Sequence, residues 1–482
     1  MDDLLPGMLH LARDGDETLT RQLTDQLRRL IATGRLAPGQ RMPSSRQLAQ
    51  SLGLSRNTVS FAIEQLAAEG YLTLSAGRRP VVAEGLSLDR RKSPPRNRNN
   101  RAGSERINLS AWASSLQRSV WPPIHKERPR PFQPGLADER EFPHDEWSRC
   151  LRRAARNAPL RRDRPINHPP LQQALLRHLV VHRGIKAKAS QILFVPTAQA
   201  GLMLVANALL ESGDHAWVES PGYAGANVAF EAAGAILSAI PLDSQGMVIS
   251  PHKQTPRLIF VTPSHQYPTG RLMPVGRRLE LLRFAETAGA CIIEDDYDGE
   301  FHYEARPVAA LQGLAPSQRV FHLGTFSKAT YADIRIGYVV VPEALIDVFE
   351  LAQRHMGILT PVTMQDALAD FISAGAYLGH IRRMTRLYKG RRDRMLQALA
   401  AEAGDRLAVE APAGGMQLLA RCRPQTNDQQ LAARLLEAGV VSRALTKMLY
   451  HKTSERGLFL GFAAWNDQEI DRAARILGRI MR

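Results

Sequence analysis

The sequence is poor in cysteine and has no long apolar run. Cys150, Cys291 and Cys422 are the only cysteines among 482 residues. They form no CxxC pair, so the composition excludes a disulfide scaffold and is typical of a reducing cytosol. No stretch approaches the roughly 18 apolar residues that a membrane-spanning helix needs. The opening residues MDDLLPGMLHLARDGDETLT are acidic and lack an apolar core, so we expect no signal peptide, no membrane partner and a cytoplasmic location.

Acidic residues are also in short supply. The chain has 47 Asp and Glu against 63 Lys and Arg, which gives a formal net charge of +16. With 44% hydrophobic and 23% charged residues it reads as globular, and its length predicts two to four domains. The positive charge favours a polyanionic partner, with nucleic acid as the first candidate.

Composition divides the chain into three parts. Residues 1–85 predict short helices followed by a hairpin. Residues 86–130, with RKSPPRNRNNRAGS at their centre, predict a basic flexible linker, either merely solubilising or in contact with a DNA backbone. In residues 131–482, helical patterns alternate with the apolar runs AWVES, RLIFVTP, CIIEDD, RVFHLGTF and RIGYVVVP, which predicts an α/β domain with a mostly parallel sheet.

A helix-turn-helix pattern occupies the N-terminal part. Apolar spacing predicts a helix over 18–33. Ser44 or Ser45 can cap a second helix that ends at Leu52, Gly53 interrupts it, and Ser55 can cap a third helix over 56–69. The stretches YLTLS and PVVA then predict a two-stranded wing. Two short helices joined by a glycine-containing turn are typical of DNA-binding proteins.

Polar and basic residues lie where such a domain meets DNA. The third helix begins with Ser55, Arg56, Asn57 and Thr58, which could meet base edges. The second helix begins with Ser44, Ser45 and Arg46, where phosphate is favoured. The tip of the wing carries Arg78 and Arg79. Each of them alone could equally be a helix cap or a solvated side chain. The run LAPGQRMPSSRQLAQSLGLSRNTVSFAIEQLAAEGYL resembles the GntR-type winged helix-turn-helix, over about residues 16–84.

Four predicted strand ends in the C-terminal part carry reactive or ligand-binding side chains. Lys328 follows a strand in GTFSK, where flanking hydroxyls could bind a phosphate while the amine carries a Schiff base. Asp295 ends CIIEDD and could pair with a pyridinium nitrogen. Gln199 opens a helix that suits an anion, and Tyr223 in ESPGY could cover a flat ring. In an open α/β sheet such strand ends converge on one crevice.

These motifs resemble the fold-type I aminotransferases. WVESPGY, VTPSHQYPTG, IIEDDYDGEF, GTFSK, RIGY and HIRRMTRLYKGRRDRM are specifically similar to the MocR/GabR family, in which a GntR-type winged helix is fused to an aminotransferase-like domain. The resemblance implies a large part to about residue 375 and a smaller α+β part over about 376–482. It also implies a homodimer in which each DNA-binding head lies on the partner subunit.

The resemblance implies pyridoxal 5′-phosphate (PLP) as the cofactor and assigns no metal. Lys328 would form the Schiff base, Asp295 would meet the pyridine nitrogen, Tyr297 the ring hydroxyl, and Tyr223 would stack on the ring. The segment with His265 or Gln266 would face the ring hydroxyl. The residues expected around the phosphate are Ala198, Gln199, Thr325, Ser327 and Arg335.

Several positions depart from the family pattern. Thr197 stands in place of a glycine, Arg162 of a tyrosine, Asn167 of a glycine, and Gln172 of an arginine. Phe459 stands where true aminotransferases carry the arginine that binds the substrate carboxylate, and Arg443 and Arg456 are the candidate replacements.

The sequence therefore predicts a PLP-dependent transcription regulator that binds an operator and responds to PLP, an amine or an amino acid. Two alternatives stay open at this point. The chain could be an active aminotransferase with an appended DNA-binding module, or a regulator whose PLP domain only dimerises. The loss of the carboxylate-binding arginine speaks against ordinary transamination.

Overall fold

The computed structural model describes residues 5–13, 17–84, 108–116, 128–156, 165–249, 254–304, 309–450 and 453–482. The chain forms two compact units, Met1–Ile107 and Asn108–Arg482, and the boundary between them lies within the segment 86–130. The centre of that segment, with its basic run, lies outside the described residues, and so does Arg162.

The N-terminal unit is a three-helix domain with a small hairpin. Its elements are α1 (Leu19–Ala32), α2 (Ser45–Leu52), α3 (Arg56–Ala68), β1 (Leu72–Thr73) and β2 (Val81–Val82), and the two strands pair antiparallel. Leu23, Leu27, Val59, Ile63 and Leu66 are buried at its centre. The predicted helices and the predicted wing are confirmed.

Local hydrogen bonds set where α2 and α3 begin. The Ser44 hydroxyl accepts from the amide of Gln47, whose side chain accepts in return from the Ser44 amide, so Ser44 rather than Ser45 caps α2. Ser55 caps α3 by accepting from the amide of Thr58. Between the helices Gly53 has a φ of +62°, a left-handed conformation that glycine adopts at little cost.

Part of the segment predicted to be a linker forms a helix. α4 (Ala111–Leu116) begins the C-terminal unit, and the Trp112 indole nitrogen donates to the Val228 carbonyl at 3.3 Å. The structure differs here from the expectation of a flexible linker, because the bond from Trp112 holds this helix against Val228 of the same unit. The polar composition of the surrounding residues does not indicate that contact.

Among the described residues, eight strands form the central sheet of the C-terminal unit. They are β3 (Ile192–Val195), β4 (His215–Ser220), β5 (Ile236–Asp243), β6 (Gly246–Met247), β7 (Leu258–Val261), β8 (Cys291–Asp296), β9 (Val320–Thr325) and β10 (Gly337–Val340). Their order is β3-β10-β9-β8-β7-β4-β5-β6. The neighbours from β9 to β5 are parallel, whereas β10 and β6 pair antiparallel with their neighbours.

Helices cover both faces of this sheet. They are α5 (His144–Arg156), α6 (Pro169–Arg183), α7 (Ala198–Leu209), α8 (Ala224–Ala232), α9 (Val275–Ala288), α10 (Leu311–Leu314), α11 (Ile346–His355) and α12 (Val362–Ser373). Successive residues of β8 face opposite cores: Ile293 packs with α7, α8 and α11, and Ile292 packs with α9 and α10. A sheet buried on both sides explains why its strands read as continuous apolar runs.

A smaller antiparallel sheet completes the unit. The 28-residue helix α13 (Ala376–Ala403) leads into β11 (Leu407–Val409), β12 (Gln417–Cys422), α14 (Asp428–Glu437), β13 (Arg443–Ala444), β14 (Gly457–Gly461) and α15 (Asp467–Met481). The strand order is β11-β12-β14-β13. Short 3₁₀ turns lie at Pro6–Met8, Glu139–Glu141, Ala189–Gln191, Ala332–Ile334, Glu343–Leu345 and Leu445–Met448.

The predicted fold class is confirmed. The five apolar runs correspond to β4, β7, β8, β9 and β10, and the sheet they form is mostly parallel with helices on both faces. In the part of the chain that the structure describes, no helix combines the length and apolar character needed to cross a bilayer.

Candidate functional site

The strands that run in one direction end at one edge of the central sheet. Residues at or just beyond the ends of β3, β4, β7, β8 and β9 include Thr197, Tyr223, His265, Asp295 and Lys328. Because these strands run in the same direction, their carboxyl ends share one edge of the sheet, where ligands bind in open α/β folds. The small sheet adds β12, β13 and β14, whose side chains reach the same pocket.

Lys328 is the amine of this pocket. Its side chain is half-buried, and Nζ donates to the Gly135 carbonyl at 2.5 Å. Gly135 has a φ of +81°, and a Cβ there would lie 3.2 Å from Nζ. Burial and then the Arg443 guanidinium lower the pKa of Lys328 to about 8, against the opposing pull of nearby carboxylates. Near neutral pH a useful fraction of this lysine is therefore a neutral nucleophile.

Asp295 is a buried carboxyl at the end of β8. Burial, followed by the nearby carboxylates of Asp296 and Asp298, raises its pKa to about 8. Asp296 stays ionised because Arg183 Nε lies 2.7 Å from its Oδ2. Asp295 Oδ1 has no hydrogen-bond partner among the described residues. A buried oxygen of this kind is costly unless a donor meets it, so the site favours a ligand that brings one.

Tyr267 lies at the centre of an aromatic cluster that sequence reasoning missed. Its ring centroid is 5.5 Å from that of Tyr223, 5.9 Å from Tyr297 and 5.0 Å from Phe459, each in an edge-to-face arrangement. Tyr297 is half-buried, desolvation raises its pKa, and a hydrogen bond joins it to Gln417 of β12. The available signal for Tyr267 was its place in VTPSHQYPTG, beside the two residues that were named.

His265 and Gln266 hold the loop on which Tyr267 lies. His265 Nδ1 is 2.8 Å from Asp298 Oδ1, and a Cβ at Gly414 would come within 2.4 Å of its Nε2. Gln266 Nε2 donates to the Pro221 carbonyl at 3.0 Å. Of these three neighbouring residues, Tyr267 is the one whose ring joins the tyrosine cluster.

Two of the predicted phosphate residues, Ala198 and Gln199, open α7. Ala198 is its first residue, and the Thr197 hydroxyl caps the helix by accepting from the Ala200 amide at 3.0 Å. Gln199 Nε2 donates to the Gly225 carbonyl at 2.9 Å, and its buried Oε1 has no partner among the described residues. A helix N-terminus is a favourable environment for an anion.

Two hydroxyl residues and an arginine come from the loop after β9. The Thr325 hydroxyl accepts from the Ser327 amide at 3.2 Å, and both side chains are half-buried. Arg335 has an exposed side chain and a φ of +49°. Left-handed backbone at a non-glycine residue is uncommon, and it is found disproportionately at ligand sites.

Two of the departures from the family pattern serve the fold. The side chain of Asn167 accepts from the Phe194 amide at 2.7 Å and donates to Gln353 at 3.1 Å, so it anchors β3. Gln172 Nε2 donates to the Ile192 carbonyl at 2.8 Å at the other end of the same strand. Neither departure removes a group from the pocket described here.

The two candidate replacement arginines lie in different places. Phe459 is 1% exposed in β14, and Arg443 is its partner in the antiparallel register with β13. Arg443 Nη1 donates to the Tyr267 hydroxyl at 2.8 Å. Arg456 instead donates to the carbonyls of Thr453 and Glu455. The structure thus brings Arg443, and not Arg456, to the tyrosine cluster.

In the N-terminal unit the candidate DNA contacts separate into caps and exposed residues. Ser44, Ser55 and Thr58 are engaged in the cap hydrogen bonds of α2 and α3, and Ser45 is half-buried. Apart from the caps, the exposed candidates are Arg46, Arg56, Asn57, Arg78 and Arg79. Their side chains are therefore the ones most available to a partner.

Family comparisons match both units. Residues 137–477 match aminotransferase class I and II, and residues 19–82 match the gntR family of bacterial regulatory proteins.

Curated relatives span nearly the whole chain. A probable rhizopine catabolism regulatory protein, MocR of Rhizobium meliloti, is 36% identical over 466 residues, which covers 95% of this chain and 92% of its own. The transcriptional regulator TauR of Rhodobacter capsulatus is 32% identical and covers 89% and 90%. The pyridoxine biosynthesis regulator PdxR of Corynebacterium glutamicum is 30% identical and covers 94% of each.

Solved structures share the fold of the C-terminal unit. The α-aminoadipate aminotransferase LysN of Thermus thermophilus, bound to N-(5′-phosphopyridoxyl)-L-leucine, superposes with a TM-score of 0.69 at 25% identity, over 77% of this chain and 98% of its own. A kynurenine aminotransferase of Pyrococcus horikoshii gives 0.67 at 24% identity, over 78% and 95%.

Proposed function

This chain belongs to the MocR-type transcription regulators, which join a GntR DNA-binding domain to an aminotransferase class I and II domain, and we propose that PLP held at Lys328 makes it responsive to an amine or amino acid. It is a helix-turn-helix transcription regulator, as its curated relatives are. The fold neighbours of the C-terminal unit are PLP enzymes, which supports the choice of cofactor.

The observation that carries the proposal is that Lys328 and Asp295 share one pocket, each with a shifted pKa. A lysine whose pKa is lowered to about 8 shares a pocket with a buried carboxyl whose Oδ1 has no donor among the described residues. A pyridine ring nitrogen is a donor when protonated and would satisfy that oxygen. The Asp295 proton is available to such a ring, because the pKa of about 8 keeps the carboxyl protonated at neutral pH in the chain alone.

The remaining pocket residues suit the other parts of PLP. Tyr223 and Tyr297 present aromatic surface and a phenol to a flat, hydroxylated ring. The phosphate would be held by residues at the start of α7 and in the loop after β9, namely Ala198, Gln199, Thr325, Ser327 and Arg335. PLP supplies an aldehyde that can exchange one amine partner for another, with a ring that withdraws electrons.

The chain's own residues would prepare that exchange. Burial and the nearby guanidinium of Arg443 keep part of Lys328 neutral, so it can act as a nucleophile and can also be displaced. The carbonyl of Gly135 orients its Nζ. A ligand that displaces Lys328 changes the charge of the pocket, and it alters DNA binding only if it favours one arrangement of the regulator over another.

DNA recognition would use the exposed residues of the N-terminal unit. Arg56 and Asn57 open α3 and would read base edges, whereas Arg46 and Arg78 would contact phosphates. A homodimer would present two such heads to two half-sites.

The experiment is a visible absorption spectrum of the purified full-length chain with added PLP, before and after borohydride. We expect a yellow protein in which reduction fixes the cofactor to the peptide containing Lys328. Lys328→Ala should lose the band, whereas Lys447→Ala, which removes an exposed lysine of the same unit, should keep it.

A wild-type chain that stays colourless with excess PLP would overturn the cofactor assignment. The pocket would then belong to a domain kept for assembly. A band that survives in Lys328→Ala would show that another amine holds the cofactor.

A further inference from the structure

We propose that Arg443, on the strand beside Phe459, takes the role of the carboxylate-binding arginine of aminotransferases and selects an effector that carries an anionic group beside its amine. This inference rests on the proposed function, because the effector is taken to bind at Lys328. It names the class of ligand: an amino acid, rather than a plain amine.

The geometry of the small sheet brings Arg443 into the pocket. Arg443 in β13 lies directly across the antiparallel ladder from Phe459 in β14. Directly opposed residues in such a ladder have side chains on the same face of the sheet, about 5 Å apart at Cβ. A guanidinium at Arg443 therefore reaches the region that a guanidinium at position 459 would reach, while the buried Phe459 ring packs edge-on against Tyr267.

Arg443 lies close to the reactive amine. Its charge is the second largest influence on the pKa of Lys328, after burial, and it also acts on Tyr223. Its Nη1 donates to the Tyr267 hydroxyl at 2.8 Å, which fixes the head of the side chain beside the tyrosine cluster.

Arg443 still has donors to offer. Within the described ranges, the bond to Tyr267 is the one hydrogen bond of its side chain, and no ion pair joins it to a carboxylate. The side chain is half-buried. An arginine presents five N–H donors in a planar fork, so one bond to a phenol leaves enough for a carboxylate.

The charges around it favour an anionic ligand over a cationic one at this position. The pocket carboxyls near Lys328 are engaged or buried: Asp298 holds His265, and Asp295 is buried at the end of β8. A ligand with an amine for the cofactor and a carboxylate for Arg443 would satisfy both. A plain amine would leave the guanidinium unpaired, and a site built to bind a group discriminates strongly against analogues that lack it.

The test compares matched ligands on the yellow full-length protein. Glycine is titrated against methylamine, and alanine against ethylamine, at one pH, with the shift of the visible band as the readout. We expect the carboxylate-bearing member of each pair to bind at least tenfold more tightly, and Arg443→Met to reduce that preference at least tenfold. Arg443→Lys, which keeps the charge but loses the fork, should fall between them.

Arg456→Met is the matched control, because Arg456 lies on the same part of the chain but bonds to local carbonyls. It should keep the wild-type preference. A purely structural role of Arg443, or one exerted only through the pKa of Lys328, would weaken amino acid and amine equally and leave their ratio unchanged.

Two outcomes would overturn the inference. If yellow wild type and yellow Arg443→Met show the same ratio, Arg443 does not select the ligand, and the proposed cofactor site stands. If wild type never becomes yellow, the cofactor site fails and this inference fails with it.

Discussion

The two units of this chain build their candidate sites in opposite ways. In the N-terminal unit, most candidate DNA contacts fall within residues 44–58, on two capped helices, and the charged ones are exposed. In the C-terminal unit, the pocket collects Gly135, Asp295, Lys328 and Arg443 from distant parts of the chain, and burial shifts the pKa values of Asp295 and Lys328.

The two sites differ in what makes their side chains able to bind or react. An exposed arginine on a helix binds because of its own charge and position, and water surrounds it until a partner arrives. A buried lysine or carboxyl gains its reactivity from neighbours that remove water and hold charge nearby. The first kind of site can be changed one residue at a time, whereas the second couples function to stability.

The largest effect is expected from Asp295→Asn, which removes the buried carboxyl of the pocket. Because the folded pKa of Asp295 is raised to about 8, wild type loses stability as pH rises from about 4 towards 8, where the unfolded carboxyl is ionised and the folded one is not. The Asp295→Asn variant does not lose stability in this way, because an amide side chain does not ionise. At about 1.4 kcal/mol per pKa unit, the variant should be more stable at pH 7 by a few kcal/mol without cofactor.

Thermal unfolding of the cofactor-free chain between pH 5 and pH 8 checks this. The gain in melting temperature should grow with pH, while the variant binds PLP more weakly. Asp471→Asn is the control of opposite sign, since Arg394 lowers the pKa of Asp471 and its loss should not stabilise. A pH-independent gain would mean that Asp295 is ionised in the folded chain.

A second prediction concerns the exposed site. Arg56→Ala should weaken binding to a duplex selected by wild type from a random-sequence pool by about 1–3 kcal/mol, because a base contact is lost. Fluorescence anisotropy at fixed salt measures this, and the visible band should stay unchanged.

Arg29→Ala, an exposed arginine in the last turn of α1, is the control and should bind the selected duplex as wild type does. Unchanged discrimination in Arg56→Ala between selected and unselected duplexes would remove Arg56 from the recognition surface.

The smallest expected effect is local. Ser44→Ala removes the capping box of α2 and should cost about 1 kcal/mol of local stability. In the intact chain, hydrogen exchange of the amides in Ser45–Leu52 should quicken roughly fivefold. Ser51→Ala, an exposed serine in the same helix, should change exchange less; equal effects would mean that the cap is not what holds α2 in place.

Much of the fold could be predicted because its signals are local. Ser44, Gly53 and Ser55 mark helix ends through bonds that span three or four residues, and the apolar runs of the large sheet are continuous because both faces are buried. The helix α4 was missed, since the contact that fastens it joins Trp112 to Val228, more than a hundred residues away.

The site residues divide along the same line. Lys328, Asp295 and Tyr223 were named from their motifs, and they lie at one edge of the sheet, although their roles stay predictions. Tyr267 was not predicted, although its neighbours His265 and Gln266 were. The sequence also could not show whether Arg443 or Arg456 reaches the pocket, because the residues around them do not indicate which groups their side chains contact.

Caps, apolar periodicity and short motifs act over a few residues, so the order of the amino acids already sets which elements form and which reactive side chains lie at their ends. The protonation states and contacts of those side chains depend on the folded chain. The lowered pKa of Lys328, the unpartnered oxygen of Asp295 and the register that sets Arg443 against Phe459 all arise from groups far apart in the chain. Burial and charge act through space, so these properties exist only once the chain has folded.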